Sequence, residues 1–186
     1  EKKTMIFNIN TTTFKNTLEK LIGAISSKNS LAILSHFKIE ATNDKIVISA
    51  TDLDIAITES VETEIIEEGE TTIPALKLYE IIKSYSPNTE ICLSNKGNND
   101  NNIKIKAIDK AIKLNYSISV LPTIDYPEIN SISDVQTIEI KESDLLMALN
   151  KTKVCISKGD SRQFLNGVFI KKESDKILFV STDGKR

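Results

Sequence analysis

The sequence predicts an α+β fold of repeated units, each made of antiparallel sheet with amphipathic helices laid against it. Three observations predict it. Segments rich in β-branched residues dominate the 186 residues, and the links between them are too short for crossover helices, so neighbouring strands run antiparallel. Three stretches place apolar residues at helical spacing. The chain also repeats itself: displaced by 131 residues without gaps, 13 of the 46 positions from 9 to 54 are identical to their counterparts.

In chain order, Thr4–Ile9 reads as the first strand. A helix follows a Thr11–Thr13 cap, with Phe14, Leu18, Leu21, Ile22 and Ile25 on one stripe. Thr12, Asn16, Glu19, Lys20 and Gly23 fall on the opposite face. Phe37–Glu40 and Lys45–Ala50 form a hairpin about the Asn43-Asp44 turn. Strands over Ile55–Val61 and Glu62–Ile66 come next, closed by a Glu68-Gly69 turn. Pro74 suits the first turn of a second helix, which runs to about Tyr85 with Leu78, Ile81, Ile82 and Tyr85 inward. Glu90–Leu93, Ile103–Ala107 and Ala111–Ser119 are strands, the first two joined by the Lys96–Asn102 turn. A third helix follows Ser143-Asp144 and turns Leu145, Ala148 and Leu149 inward.

The repeat pairs Ile9 with Ile140, Leu18 with Leu149, Lys20 with Lys151 and Ile25 with Ile156. It continues through Ser26/Ser157, Ser30/Ser161, Leu34/Leu165 and Ile39/Ile170. It ends in Asp44-Lys45-Ile46 over Asp175-Lys176-Ile177 and Thr51-Asp52 over Thr182-Asp183. One unit therefore fills 1–131, and 132–186 is the first half of a second. The expectation is a piece of a longer protein.

Charge nearly balances, with 24 Lys+Arg against 26 Asp+Glu and a net charge of −2, and 40% of residues are apolar, which argues against a disordered chain. No apolar run approaches the ~18 residues of a membrane span, and no basic-then-apolar leader opens the sequence. The expectation is a cytoplasmic protein without membrane contact. One histidine, His36, leaves no His-pair motif, and Cys92 and Cys155 have no zinc spacing; both read as buried free thiols. No cofactor or metal is expected.

Chemistry-bearing motifs are few. Gly184-Lys185 fails as a phosphate loop, because Phe179 and Arg186 stand where glycine and Ser/Thr are needed. Asp52 and Asp54 form a carboxylate pair at a strand end, and the repeat places Asp183 opposite Asp52, the pattern of a backbone-bonding turn. The competing reading is a nucleotide- or metal-dependent enzyme using Asp52 and Asp183 on duplicated domains. His36 reads as structural. The basic residues point elsewhere: Lys20, Lys83, Lys151 and Lys153 lie on or beside polar helix faces, and Lys28 and Lys158 in matching loops. A duplicated basic face suits an extended polyanion and neutralises phosphates without reading bases.

Six segments in order resemble the bacterial sliding clamp family, the β subunit of DNA polymerase III. They are Leu31-Ala-Ile-Leu34, Ala50-Thr-Asp-Leu-Asp54, Thr71-Thr-Ile-Pro-Ala75, Leu121-Pro-Thr-Ile-Asp-Tyr-Pro127, Phe164-Leu-Asn-Gly167 and Ser181-Thr-Asp-Gly-Lys-Arg186. The resemblance implies the DNA-clamp fold, three similar domains per chain, and a head-to-tail homodimer ring with sheets outside and helices lining a central hole. It implies a non-catalytic processivity factor that encircles double-stranded DNA irrespective of sequence. Short peptide motifs of the replicative polymerase and clamp loader would dock on it, in the cytoplasm at the nucleoid. By position, Lys28 and Lys158 match DNA-facing loops, and Lys20 and Lys83 match hole-lining helix positions. Tyr116 and Ile118 match the strand that pairs with the partner chain, with Lys77 and Lys113 beside it. Leu165, Thr182, Gly184, Lys185 and Arg186 match the partner-peptide pocket. Lys185 replaces the family's usual histidine, and Gly159 replaces a polar residue near the DNA-facing loop.

Overall fold

Alternating burial along the strands sorts the chain into layers. The computed structural model describes residues 4–25, 31–95, 101–129 and 137–186, and it divides into one unit over 1–130 and another over 131–186. Lys28, Ser26, Ser30, most of the Lys96–Asn102 turn and the expected 131/132 boundary lie outside the described residues.

In the first unit the strands are β1 (Ile6–Asn10), β2 (His36–Thr42), β3 (Lys45–Thr51), β4 (Ala56–Glu62), β5 (Glu64–Glu67), β6 (Gly69–Pro74), β7 (Glu90–Ser94), β8 (Asn102–Ala107) and β9 (Asn115–Ser119). They form one antiparallel sheet of order β5-β1-β7-β8-β9 and another of order β4-β3-β2-β6. Helices α1 (Thr11–Leu21) and α2 (Ala75–Ser84) pack on each other. One core joins the inward residues of both sheets, such as Phe7, Phe37, Ile39, Ile48 and Ile105, to Phe14, Leu18, Leu21, Leu78 and Ile82 of the helices.

Several expected boundaries move, each for a local reason. The cap of α1 is Asn10, whose side chain accepts from the Thr12 N–H at 3.0 Å, and not the threonines after it. Thr11 is buried instead, donating to the Ser86 carbonyl at 3.1 Å and accepting from the Thr89 N–H at 3.1 Å. Residues 69–74 form strand β6, which pairs with β2 from His36↔Pro74 to Ala41↔Gly69, so Pro74 ends a strand before α2 begins. Ala111–Leu114 precedes β9 as a turn, stabilised where Asp109 accepts from the Ala111 N–H at 2.9 Å. Cys92 and Cys155 are half-buried rather than buried. His36 is buried with Nδ1 3.0 Å from the Ala32 carbonyl oxygen, and burial pushes its pKa down against that bond.

From its helix to the turn after its second strand, the second unit repeats the first with the 131-residue displacement kept. Its helix α3 (Glu142–Thr152) and the 3-10 turns Lys153–Cys155 and Gln163–Asn166 sit 131 positions after α1, Ile22–Ala24 and Ala32–Ser35. Because α3 starts at Glu142, Ser143 and Asp144 lie in its first turn, where acidic groups complement the helix dipole. Strands β10 (Phe169–Lys172) and β11 (Ile177–Val180) pair as Phe169↔Val180, the counterpart of Lys38↔Ser49 in β2 and β3. The turn after β3 recurs bond for bond. Asp52 Oδ1 accepts from the N–H groups of Asp54 (3.0 Å) and Ile55 (2.8 Å), and Asp183 Oδ1 from those of Lys185 (2.9 Å) and Arg186 (3.1 Å). Thr51 Oγ1 accepts from the Leu53 N–H and donates to the Ile55 carbonyl, as Thr182 Oγ1 does with Gly184 and Arg186. The middle residue is left-handed in both copies, φ 81° at Leu53 and 84° at Gly184.

Glycine takes that conformation freely, whereas leucine is strained in it. Leu53→Gly should therefore stabilise the chain by about 0.5–1 kcal/mol in urea unfolding, since the Leu53 side chain is largely exposed and little packing is lost. Burial also pushes the hydroxyls of Tyr85 and Tyr126 up to about 12. Above pH 10 the unfolded chain loses these protons while the folded chain keeps them. Stability should thus be level below pH 10 and fall by up to about 1.4 kcal/mol per pH unit for each tyrosine between pH 10 and 12. Phe substitution at either position should remove its share of the slope.

Candidate nucleic-acid interface and partner pocket

Burial of the apolar stripes turns the lysines of α1 and α2 outward. Lys20 and Lys83 each lie in the last turn of their helix, where a cation complements the carbonyl end of the dipole. Neither stands alone. Lys20 bridges to Glu59 of β4 at 3.3 Å, and Lys83 Nζ lies 5.1 Å from the centroid of the Tyr79 ring. Tyr79 Oη donates to Glu19 at 2.5 Å, joining α2 to α1, and Lys15 pairs with Glu19 at 3.6 Å. The Tyr79 hydrogen bond, ahead of the Lys15 charge, holds the Glu19 carboxyl below its usual range; the same bond pushes the Tyr79 hydroxyl up. Sequence reading missed Lys15, Tyr79 and Glu59, and placed Glu19 on the polar face without its partners. The i,i+4 spacings of Lys15/Glu19 and Tyr79/Lys83 were the available signal.

In the second unit Lys151 occupies the last turn of α3, Lys153 opens the following 3-10 turn, and Lys158 lies beyond it; all three are exposed. Gly159 next to Lys158 is left-handed, with φ 76°.

Leu165 does not head a strand. It sits in the 3-10 turn Gln163–Asn166 at 3% exposure, its carbonyl accepting from the Ser157 N–H at 2.9 Å. The apolar surface at this place is instead its neighbour Phe164, at 77% exposure. Thr182, Gly184, Lys185 and Arg186 are exposed on the turn held by Asp183, whose carboxyl is kept below its usual range first by the Lys185 N–H. The Arg186 guanidinium reaches the Val154 carbonyl at 3.0 Å. Arg162, paired with Asp160 at 3.1 Å, lies against Gly184, its Nη2 3.5 Å from where a Cβ would stand. Arg162, whose carbonyl accepts from the Leu165 N–H at 3.0 Å, thus lies beside both the Leu165 turn and the Thr182–Arg186 turn. Asp52 and Asp183, the carboxylates of the enzyme reading, serve the same purpose of holding a turn's amides.

Strand β9 ends its sheet, and no further strand among the described residues pairs with its outer side. Ile118 points into the core of its own unit, opposite Ile103 in the ladder, because β-strand alternation puts it on the buried face. Tyr116 is half-buried, its ring edge-on to Tyr85 at 5.9 Å and its hydroxyl 2.8 Å from Ser84 Oγ. What the edge presents outward is main chain, flanked by exposed Asn115, Ser117 and Ser119; Lys113 before the strand and Lys77 on α2 are exposed too.

Comparison with known proteins places this architecture. The family model for the N-terminal domain of the DNA polymerase III beta subunit matches residues 5–130, and that for its central domain matches 139–186. The beta sliding clamp of Caulobacter vibrioides is 29% identical over 177 residues, which cover 91% of this chain and 46% of that protein. The Pseudomonas putida beta sliding clamp is 27% identical over 186 residues, covering 98% and 48%. Among solved structures, the C. crescentus beta sliding clamp superposes with a TM-score of 0.88 at 28% identity, over 99% of this chain and 49% of that one. The DNA polymerase III subunit beta of Pseudomonas aeruginosa gives 0.87 at 25% identity, over 97% and 47%. The chain spans about half the length of the curated relatives it matches. On the match over both of its units, this chain belongs to the DNA polymerase III beta subunit family.

Proposed function

We propose that this chain supplies one domain and the first half of a second to a sliding clamp, a non-catalytic processivity factor of the bacterial replicative polymerase. The observation that carries the reading is the residue-for-residue duplication of helix, 3-10 turns and hairpin across units that match successive domains of one family. In this reading the homodimeric ring encircles duplex DNA, with α1, α2 and α3 turned toward the phosphates. Lys20, Lys28, Lys83, Lys151, Lys153 and Lys158 supply diffuse positive charge there. The β9 edge at Tyr116–Ile118, flanked by Lys77 and Lys113, pairs with the partner chain through main-chain hydrogen bonds, the usual use of an open strand edge. Leu165, Thr182, Gly184, Lys185 and Arg186 form one side of a pocket for short peptides of the polymerase and clamp loader. The protein works in the cytoplasm, at the nucleoid.

A ring holds DNA by topology, so its charges need only be permissive. Lys20 already bridges to Glu59, and moving it to a phosphate exchanges one ion pair for another. Direct binding of the chain to short linear duplex should therefore be weak. Its log–log salt slope should stay well below the roughly −5 that six full phosphate contacts give. Fluorescence anisotropy between 50 and 200 mM salt measures it; a slope near −5 would indicate an ordinary groove binder instead.

Leu165→Ala should weaken a polymerase-derived peptide carrying an apolar anchor by about thirtyfold, the ~2 kcal/mol of a truncated pocket anchor. The β9 edge lies in the other unit and should keep its behaviour. Anisotropy titration on variant with a cooperative unfolding transition decides: unchanged affinity would remove Leu165 from the pocket.

A further inference from the structure

The duplication raises a question about the first unit. Leu165 and the Thr182–Arg186 turn have counterparts 131 residues earlier, Leu34 and the Thr51–Ile55 turn, in the same 3-10 and turn geometry. The two copies differ in what lies on them. Phe164 is 77% exposed, whereas its counterpart Ile33 is 6% exposed. Ile33 and Leu34 form a small cluster apart from the main core, covered by Tyr126 with Leu121 packed alongside.

The geometry points to a second copy of the peptide pocket in the first unit, already occupied by the chain's own segment Leu121–Tyr126. This rests on the pocket reading of the second unit given above. The segment docks as a bound peptide does. Its aromatic anchor, Tyr126, sits on Ile33 and Leu34 and donates its hydroxyl to the Ser49 carbonyl at 3.0 Å. Its main chain is clamped at the other end, where the Leu121 N–H donates to Thr72 Oγ1 at 3.1 Å and Thr72 Oγ1 donates back to the Leu121 carbonyl at 2.7 Å. Thr123 Oγ1 adds a bond to Glu70 at 2.6 Å. The bond to Ser49 places the anchor near the end of β3, two residues before the Thr51 turn. Pro122 and Pro127 restrict the unbound segment, and tethering gives it an effective concentration that a free peptide must exceed. The ligand class of this site is a segment with a leading Leu-Pro, a 3-10 turn (here Thr123–Asp125) and an aromatic residue four positions after the proline. Self-occupation keeps partner peptides off the first unit and leaves them the second.

The test uses the 186-residue chain with labelled Ile and Leu methyl groups, titrated with the end-blocked peptide Leu-Pro-Thr-Ile-Asp-Tyr-Pro of residues 121–127. In Tyr126→Ala, the Ile33 and Leu34 methyl signals should shift saturably, with an apparent Kd at least tenfold below any response of the unmodified chain. A folded Tyr126→Ala chain whose Ile33 and Leu34 signals do not respond overturns the proposal. Leu165 methyl signals in the same spectra report on the second unit separately, so failure there is read apart from failure here. Should Tyr126→Ala not fold, hydrogen exchange on the unmodified chain decides. Leu121 and Tyr126 amides exchanging at least tenfold faster than those of Ile39 and Ile48 support a segment that undocks on its own. Equal rates make Tyr126 an ordinary core residue and overturn the proposal.

Discussion

The arrangement of charge in this protein depends on one packing constraint, the burial of the α1 stripe. Phe14, Leu18 and Leu21 are wholly removed from water, at roughly 1.5–3 kcal/mol for each side chain. Once that stripe is inside, helical geometry leaves no choice about the rest: Lys15, Glu19 and Lys20 must point away from the core. The α2 stripe of Leu78, Ile81 and Ile82 does the same for Tyr79 and Lys83. The outward residues then pair across the two helices through Tyr79 and Glu19. A face set by its hydrophobic reverse side can carry lysines without each one being fixed to a particular phosphate. That is the character a sequence-independent tether needs.

The second organising device is local and repeated. A Thr-Asp pair at the end of a strand satisfies consecutive amides with its own side chains and forces the next residue left-handed. The same turn therefore shapes both units although the residue at its centre differs, Leu53 in one and Gly184 in the other. The neighbours differ too: Arg162, which lies beside Gly184, has Leu31 as its counterpart in the first unit. One conserved geometry thus supports two surfaces of different composition.

Much of this was legible in the sequence because it is periodic. The stripes of α1 and α2, the β2–β3 hairpin and the 131-residue displacement all rest on spacing, and the displacement holds to the residue in the structure. What was missed depends on tertiary partners. Residues 69–74 were bracketed by Gly69 and Pro74, both turn-like locally, yet pairing with β2 makes them a strand, and Thr71-Thr72-Ile73 carried the β-branched signal. Ile118 has the apolar character of an interface residue, but which face of β9 it occupies is set by the ladder with β8. The Glu19–Tyr79 bond joins residues 60 positions apart, and no local pattern announces it. Tyr126 covering Leu34 is of the same kind.

The central claim is that the outward faces of the helices in both units meet duplex DNA while the sheets do not. Site-directed photo-cross-linking in the protein assembled on circular duplex tests it directly, with the photoreactive group placed in turn at Lys20, Lys83 and Lys151 and at the exposed sheet positions Thr58 and Ser60. The account predicts DNA adducts from all three helix positions, independent of base sequence, and background levels from the sheet positions. Adducts from Thr58 and Ser60 that equal or exceed those from the helices would contradict it.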